Sequence, residues 1–137
     1  MRLVSQPVAL LACQEADDHI ATCVVNTVFP ISAETPSLGV SLIRNTRSCK
    51  AVLQEKRYWL SFFSSDESAR MRRVAAAASY DRVYEAGLTD GCALPIMEGS
   101  AVAFECQRTD EFEAFDHFII VGLVVGVRMG EKKCLSL

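Results

Sequence analysis

Short segments with the two-residue periodicity of β-strands recur along this chain of 137 residues. In 38–43, 58–63 and 101–109, apolar residues alternate with smaller or more polar ones, as in strands that bury one face. The apolar runs 8–13 and 20–25 flank a polar turn, a pattern typical of a β-hairpin. Strands and helices do not alternate regularly, so the sequence predicts an antiparallel sheet rather than a parallel one.

Helical signals are fewer and shorter. Residues 46–54 lose the alternation and predict a short helix. Ser64-Ser-Asp-Glu67 has the residue types of a capping box, which predicts the start of a helix whose apolar face includes Met71. A last long strand is expected over 117–128. Six or seven strands with two or three short helices predict a single mainly β domain over 1–137, an antiparallel barrel with helices outside.

The composition excludes several classes of partner. The net charge is −3, and the few basic residues form no stripe, so nucleic acid is not an expected partner. The longest apolar run, 118–127, is about half of what a membrane-spanning helix needs and predicts a buried strand. Half of the residues are hydrophobic and the mean hydropathy is positive, which favours an apolar subunit interface, as in a homodimer.

The six cysteines indicate thiols rather than a metal site. They are widely spaced, with no C-x-x-C and no histidine at ligand spacing, so zinc is not expected. An even number allows three disulfides, but a signal peptide is lacking and most of the cysteines lie in apolar, strand-like contexts. Buried free thiols in a reducing cytoplasm are therefore the favoured interpretation. The cysteines are at positions 13, 23, 49, 92, 106 and 134.

Two polar clusters interrupt the strand pattern. Asn26 and Thr27 are the polar pair within the apolar stretch 23–31, and such side chains can hydrogen-bond the edge of a bound heterocycle. The alternative is a strand residue followed by a solvated edge threonine. Residues 45–48 lie where a strand is expected to turn into a helix, and free N–H groups with Arg47 would form an anion pocket there. The alternative is an ordinary helix cap.

A histidine stands at the start of the last predicted strand. His117 is one of two histidines in the chain and directly follows Asp116. It is either a ligand-facing residue or a partly buried histidine with a structural hydrogen bond. No Ser-His-Asp or paired-carboxylate pattern accompanies it, so the sequence indicates a binding site rather than an acid–base or nucleophilic one.

Taken in order along the chain, these pieces resemble the flavin reductase-like family of FMN-binding split barrels. The resemblance covers about residues 7–128 and consists of segments that are each weak alone. The family's flavin loop falls on 24–28, its Ser-x-x-x-Pro turn on 32–36 and its phosphate loop on 43–48. Its Leu-Pro-x-Leu-Glu-Gly segment falls on 94–99, its Ala-x-x-Glu-Cys strand on 103–106 and its Asp-His pair on 116–117.

The resemblance implies a fold, a reaction and a set of contacts. The fold would be an antiparallel split β-barrel with short peripheral helices, assembled as a homodimer. The reaction would be NADH- or NADPH-dependent reduction of FMN or FAD, with hydride passing from the nicotinamide to the flavin, and the reduced flavin would supply a partner monooxygenase. His117 would position nicotinamide and flavin, and Arg82 matches a family element near the pocket. The implied cofactor contacts are Val25, Asn26, Thr27, Asn45, Thr46, Arg47, Ser48 and Asp116.

One departure from the family bears on turnover. Phe115 stands where the family has a glycine before Asp-His, and glycine there allows a tight backbone and close ligand approach. A phenylalanine could cap the flavin or block the nicotinamide. The rival interpretation is therefore a flavin-binding protein without reductase turnover, such as a carrier, a sensor or a degenerate homologue. A pyridoxamine-phosphate oxidase-like split barrel would need more basic phosphate ligands than this chain offers.

Overall fold

The computed structural model describes residues 7–16, 19–88 and 95–130. Thr89-Asp-Gly91, whose residue types predict a turn, lies outside the described residues, as do Cys92, Leu94 and Cys134. The described elements, in chain order, are β1 Ala9–Gln14, β2 Ile20–Val25, β3 Phe29–Ser32, β4 Ser37–Ile43, α1 Arg47–Glu55, β5 Arg57–Phe62, α2 Ser68–Ala76, α3 Ser79–Glu85, β6 Val102–Ala114 and β7 His117–Met129.

The seven strands form one antiparallel sheet that does not close. Its order is β2-β1-β5-β6-β7-β4-β3, so β2 and β3 are the two edge strands. The predicted hairpin is present as β1 and β2, with Leu11 opposite Cys23. The prediction of a mainly β, antiparallel split barrel with short peripheral helices is confirmed. The gap between the edge strands positions the cavity described below.

Both faces of β1 are buried, and this divides the core into two clusters. Leu11 points into the barrel interior, where it packs with Leu60 and Ile120. Leu10, the preceding residue, points to the other side and packs beneath α2 with Val74. Because successive strand residues face opposite ways, the uninterrupted apolar run 8–13 is what a strand covered on both sides needs.

The start of α2 differs from the prediction. The capping-box prediction is wrong, because α2 begins at Ser68 and Ser64 does not cap it. The Ser64 hydroxyl lies 2.8 Å from a carboxylate oxygen of Asp66 and 2.8 Å from one of Glu67, and the two carboxylates compete for its single proton. The Glu67 N–H donates to the Ser64 carbonyl at 3.0 Å. The four residues thus close a turn of their own, and the helix starts after it.

The last strand is present, but the prediction that it is a buried strand is wrong for one of its faces. Ile120 and Gly122 face the barrel interior and are buried, whereas alternate residues on the other side are half-buried or exposed. Neighbouring strands add to this side through pairs such as Phe112 with Ile119 and Phe29 with Gly39. We call this surface the outer apolar face; it consists of Phe29, Phe112, Ile119, Val121, Leu123 and Val125.

Gly122 permits the closest packing in the barrel interior. A Cβ atom placed on Gly122 would lie 2.2 Å from the hydroxyl of Tyr58, so no side chain fits there. The Tyr58 hydroxyl is buried and has no hydrogen-bond partner among the described residues. Burial raises the pKa of Tyr58, which stays neutral and acts as a large core residue.

The four described cysteines are free, as predicted, and three of them are buried. The Cys13 thiol donates a hydrogen bond to the Arg57 carbonyl at 3.2 Å. Burial, with the nearby carboxylates of Glu55 and Glu15, raises the pKa of Cys13 to about 12. None of the helices in the described ranges has the length and apolar character that crossing a membrane requires.

The buried thiol predicts how stability depends on alkaline pH. The Cys13 thiol has its ordinary pKa of 9.0 in the unfolded chain and about 12 in the folded one. Between these values the unfolded chain has released a proton that the folded chain retains, so stability falls as pH rises. We expect the free energy of unfolding of the wild type, relative to Cys13→Ala, to be constant below pH 8. Above pH 9 it should decline by about 1.4 kcal/mol per pH unit. Urea unfolding at several pH values measures this, and a constant difference up to pH 10.5 would contradict it.

Candidate functional site

A cavity of about 370 Å³ opens at the gap in the barrel. Its walls come from β2 and the loop that follows it, from the end of β4 and from the start of α1. Arg82 of α3 and His117 of β7 complete the lining. The β2 edge, the β4–α1 connection, α3 and β7 are distant from one another in sequence, and the fold brings them together.

The structure places seven of the nine sequence-predicted site residues around this cavity. Asn45 and Asp116 are the two that do not line it. Asn45 is in a left-handed conformation with φ of 65°, and it supports the turn between β4 and α1. The Asp116 side chain is largely exposed and contacts His117 instead. The seven lining residues are Val25, Asn26, Thr27, Thr46, Arg47, Ser48 and His117.

Thr27 connects the two sides of the gap. Its hydroxyl donates to the Ser41 carbonyl at 3.1 Å and accepts from the Ser41 N–H at 3.3 Å. The loop after β2 is thereby fixed to β4. Since this hydroxyl already has two partners, the loop offers a ligand mainly its backbone groups and the side chain of Asn26.

The edge of β2 provides the longest polar wall of the cavity. The Thr22 carbonyl accepts a hydrogen bond from Arg82 at 2.7 Å, so it points away from β1. Backbone groups in a strand alternate in direction, which places the N–H and C=O of Val24 on the same open side. The Thr22 hydroxyl is buried and has no partner within the part of the chain that the structure describes. Unpaired polar groups of this kind suit a ligand with a hydrogen-bonding edge.

The N-terminus of α1 forms the other end of the cavity. Thr46 is the N-cap, and its hydroxyl accepts from the Cys49 N–H at 3.3 Å and donates to the Ile43 carbonyl at 2.8 Å. The first-turn N–H groups of Arg47 and Ser48 have no carbonyl within the helix to bond, and the helix dipole adds positive potential there. An anionic group fits this end.

Ser48 and Cys23 meet at the base of the cavity. The Ser48 side chain is buried and hydrogen-bonds the Cys23 thiol. Burial raises the pKa of Cys23, and the hydrogen bond with Ser48 opposes that shift. Cys23 is therefore a neutral thiol at physiological pH and adds a soft apolar surface beneath any bound group.

Two arginines give the cavity its charge, and they differ in their partners. The guanidinium of Arg47 pairs with the carboxylate of Glu15, with Nε 2.8 Å from Oε1. Arg82 instead donates to the carbonyls of Thr22, Val74 and Ala77 at 2.7, 3.1 and 3.0 Å. Among the described residues Arg82 has no carboxylate partner, so its positive charge remains uncompensated at the cavity wall.

His117 lies at the outer side of the cavity. Its Nδ1 is 2.9 Å from Asp116 Oδ1, and this hydrogen bond lowers the pKa of the Asp116 carboxyl. The Arg44 N–H donates to the Asp116 carbonyl at 2.8 Å, which ties the turn before β7 to the end of β4. An aspartate that holds one ring nitrogen leaves the other, Nε2, for a ligand.

The arrangement as a whole fits a planar heterocycle that carries a phosphate. One end offers helix N–H groups and guanidinium charge, and the long wall offers strand-edge hydrogen bonds beside apolar side chains. The family model described as "Flavin reductase like domain" matches residues 1–135. The chain belongs to this family. The predicted family is thus confirmed, and flavin is the cofactor that membership implies.

Similar proteins agree with this assignment. NADH:riboflavin 5'-phosphate oxidoreductase from Streptomyces pristinaespiralis is 23% identical over 133 residues, covering 96% of this chain and 75% of that protein. The styrene monooxygenase flavin reductase from Pseudomonas putida S12 has a TM-score of 0.80 at 20% identity, covering 93% and 81%. A Sinorhizobium meliloti 1021 structure has a TM-score of 0.85 at 23% identity. The match spans 97% of this chain but only 46% of that larger one.

Several lining residues of this flavin reductase-like domain escaped the sequence analysis. Thr22, Cys23 and Ser41 lie in strands whose local pattern resembles any other. Glu15, which does not line the cavity, pairs with the lining residue Arg47 from a position 32 residues earlier. Arg82, assigned from the resemblance only to an element near the pocket, lies at the cavity wall. Strand pairing and helix packing together bring these residues to the cavity, and no local sequence pattern indicates this.

Proposed function

We propose that this protein reduces FMN or FAD with NADH or NADPH. The observation that carries the proposal is the cavity at the gap, where the α1 N-terminus and Arg82 face the open edge of β2. When bound, the flavin supplies the redox chemistry by accepting a hydride from the nicotinamide. The protein's own contribution is to bind, align and shield the two rings.

The phosphate end is proposed to use the start of α1. The N–H groups of Arg47 and Ser48 would hold the flavin phosphate, and Thr46 starts the helix as its N-cap. The carboxylate of Glu15 fixes the guanidinium of Arg47 in place and offsets its positive charge. Arg82 then provides the uncompensated charge for the same anion, while its carbonyl contacts keep it in place.

The ring end is proposed to use the β2 edge and His117. Backbone groups of 24–27 and the side chain of Asn26 would bond the polar edge of the flavin. His117, oriented by Asp116, would lie near the nicotinamide and help to set its position. Nothing in this scheme requires a protein nucleophile or a proton donor, in agreement with the neutral, buried thiols around the cavity.

The outer apolar face is proposed to be the interface of a homodimer. Ser41 and His117 lie on the same side of the sheet as this face, so the cavity is open toward it. A second copy covering the face would both bury its apolar side chains and shield the cavity from water. By similarity to the styrene monooxygenase flavin reductase, we further propose that reduced flavin is delivered to a partner oxygenase.

Reductase activity is tested by NADH and NADPH oxidation with FMN or FAD added. We expect oxidation to depend on flavin and to exceed the flavin-free blank severalfold, because hydride transfer needs both rings in one cavity. Flavin binding is measured separately by fluorescence quenching. Tight flavin binding without turnover would reject the reductase and favour the rival, a flavin-binding carrier or sensor.

The phosphate site is tested by comparing FMN with riboflavin, which lacks the phosphate. For Arg47→Ala, we expect FMN affinity to fall about 10- to 100-fold, because the cation is lost and the carboxylate of Glu15 loses its partner beside the phosphate. Riboflavin affinity should change little. Arg44→Ala is the matched control, since Arg44 pairs with Glu113 and does not line the cavity. Unchanged FMN affinity in Arg47→Ala would show that the phosphate lies elsewhere.

The dimer is tested by placing a charge in the middle of the outer apolar face. Val121→Glu should convert the dimer to a monomer in sedimentation velocity, because an unpaired buried carboxylate is strongly unfavourable. Glu111→Gln, on the neighbouring strand β6, is a control that leaves the apolar area intact. A wild type that sediments as a monomer at micromolar concentration would refute the proposal.

A further inference from the structure

The turn between β6 and β7 holds a phenylalanine in a conformation that suits glycine. Ala114 pairs with His117, so Phe115 and Asp116 are the two residues of the turn. Phe115 has φ of 56°, in the left-handed region. Bulky L residues are rarely found there, and two-residue hairpin turns usually place Gly, Asn or Asp at such positions. The turn itself therefore gives no reason for a phenylalanine.

Among the residues that the structure describes, no side-chain packing offsets this strain. The ring of Phe115 is almost fully solvent-exposed, at 96%. The contacts of Arg44 with the turn use backbone carbonyls: Arg44 donates its N–H to the Asp116 carbonyl at 2.8 Å and its Nη1 to the Phe115 carbonyl at 3.3 Å. A glycine would keep both contacts. A strained backbone that presents an exposed aromatic ring is expected where the ring meets something bound.

The surroundings of the ring indicate what it meets. His117, two residues on, lines the cavity, and so does Ile43, its partner on β4. Ile43 is itself 56% exposed, so apolar groups flank His117 at the cavity mouth. Phe115 does not line the cavity. Its ring is exposed two residues from His117 and is therefore accessible to a second planar group that binds outside the space between β2 and α1.

We propose that Phe115 stacks on the nicotinamide ring of the co-substrate and sets the affinity of the flavin-loaded protein for it. This inference rests on the proposed reductase function, which supplies the second ring. Aromatic stacking favours a flat heterocycle without adding a charge. Phe115 would then act on the co-substrate and leave flavin affinity unaffected.

The test compares two glycine substitutions at left-handed positions. Lys56→Gly is the matched control, since Lys56 has φ of 65° at the end of α1, is exposed and does not line the cavity. Relief of backbone strain should raise the melting temperature by about 2–5 °C in both variants. Only Phe115→Gly should weaken NAD⁺ binding to the FMN-loaded protein, about 5- to 20-fold, and raise the KM for NADH similarly. Phe115→Trp should retain both values, and the FMN dissociation constant should stay within twofold throughout.

Three other results would overturn either the stacking role of Phe115 or the reductase function. An active wild type with unchanged NAD⁺ affinity and KM in Phe115→Gly overturns this inference and leaves the reductase intact. A wild type that binds NAD⁺ but never oxidises NADH overturns the reductase, and a loss of binding in Phe115→Gly then still supports the stacking role. A dimer that dissociates in Phe115→Gly, with unchanged NAD⁺ affinity, overturns the inference because the ring then meets a second copy.

Discussion

The site depends on the unpaired edge of β2. A barrel that closed by pairing β2 with its neighbour across the gap would consume the backbone groups that now face the cavity. Arg82 occupies part of this edge through the Thr22 carbonyl, and Thr27 fixes the loop beyond it to β4. The gap is therefore held at a set width by side chains from outside the strand. An unpaired strand edge promotes aggregation in many sheets, whereas here it forms a wall of the candidate site.

The charge of the cavity is set by partners as much as by residue type. Arg47 lies in the first turn of α1, yet Glu15 compensates it, whereas Arg82 is held by neutral carbonyls and keeps its full charge. A carbonyl-bound guanidinium has donors fixed in direction without a counter-ion. The cavity can thus attract an anion strongly while its cation stays in one rotamer.

Local features of the fold were readable from the sequence, and tertiary ones were not. The helix start at Thr46 and the β1–β2 hairpin depend on adjacent residues and were predicted correctly. The Ser64 cap was not, because carboxylates within the same turn compete for its hydroxyl. Exposure of one face of β7 and the position of Arg82 depend on how distant strands meet. Local residue types indicate the candidates Asn26, Thr27, 45–48 and His117, the family pattern assigns them to a flavin, and their roles stay predictions.

The hydrogen bonds from Arg82 to the end of α2 affect how the structure opens locally. One guanidinium joins carbonyls at the last turn of α2 and just beyond it to the edge of β2. Local unfolding of α2 would release that edge as well, so these segments form one cooperative opening unit in the sense of native-state hydrogen exchange. A ligand in the cavity would therefore slow amide hydrogen exchange in α2 without contacting that helix. Destabilising α2 would in turn lower the affinity of the site for the ligand.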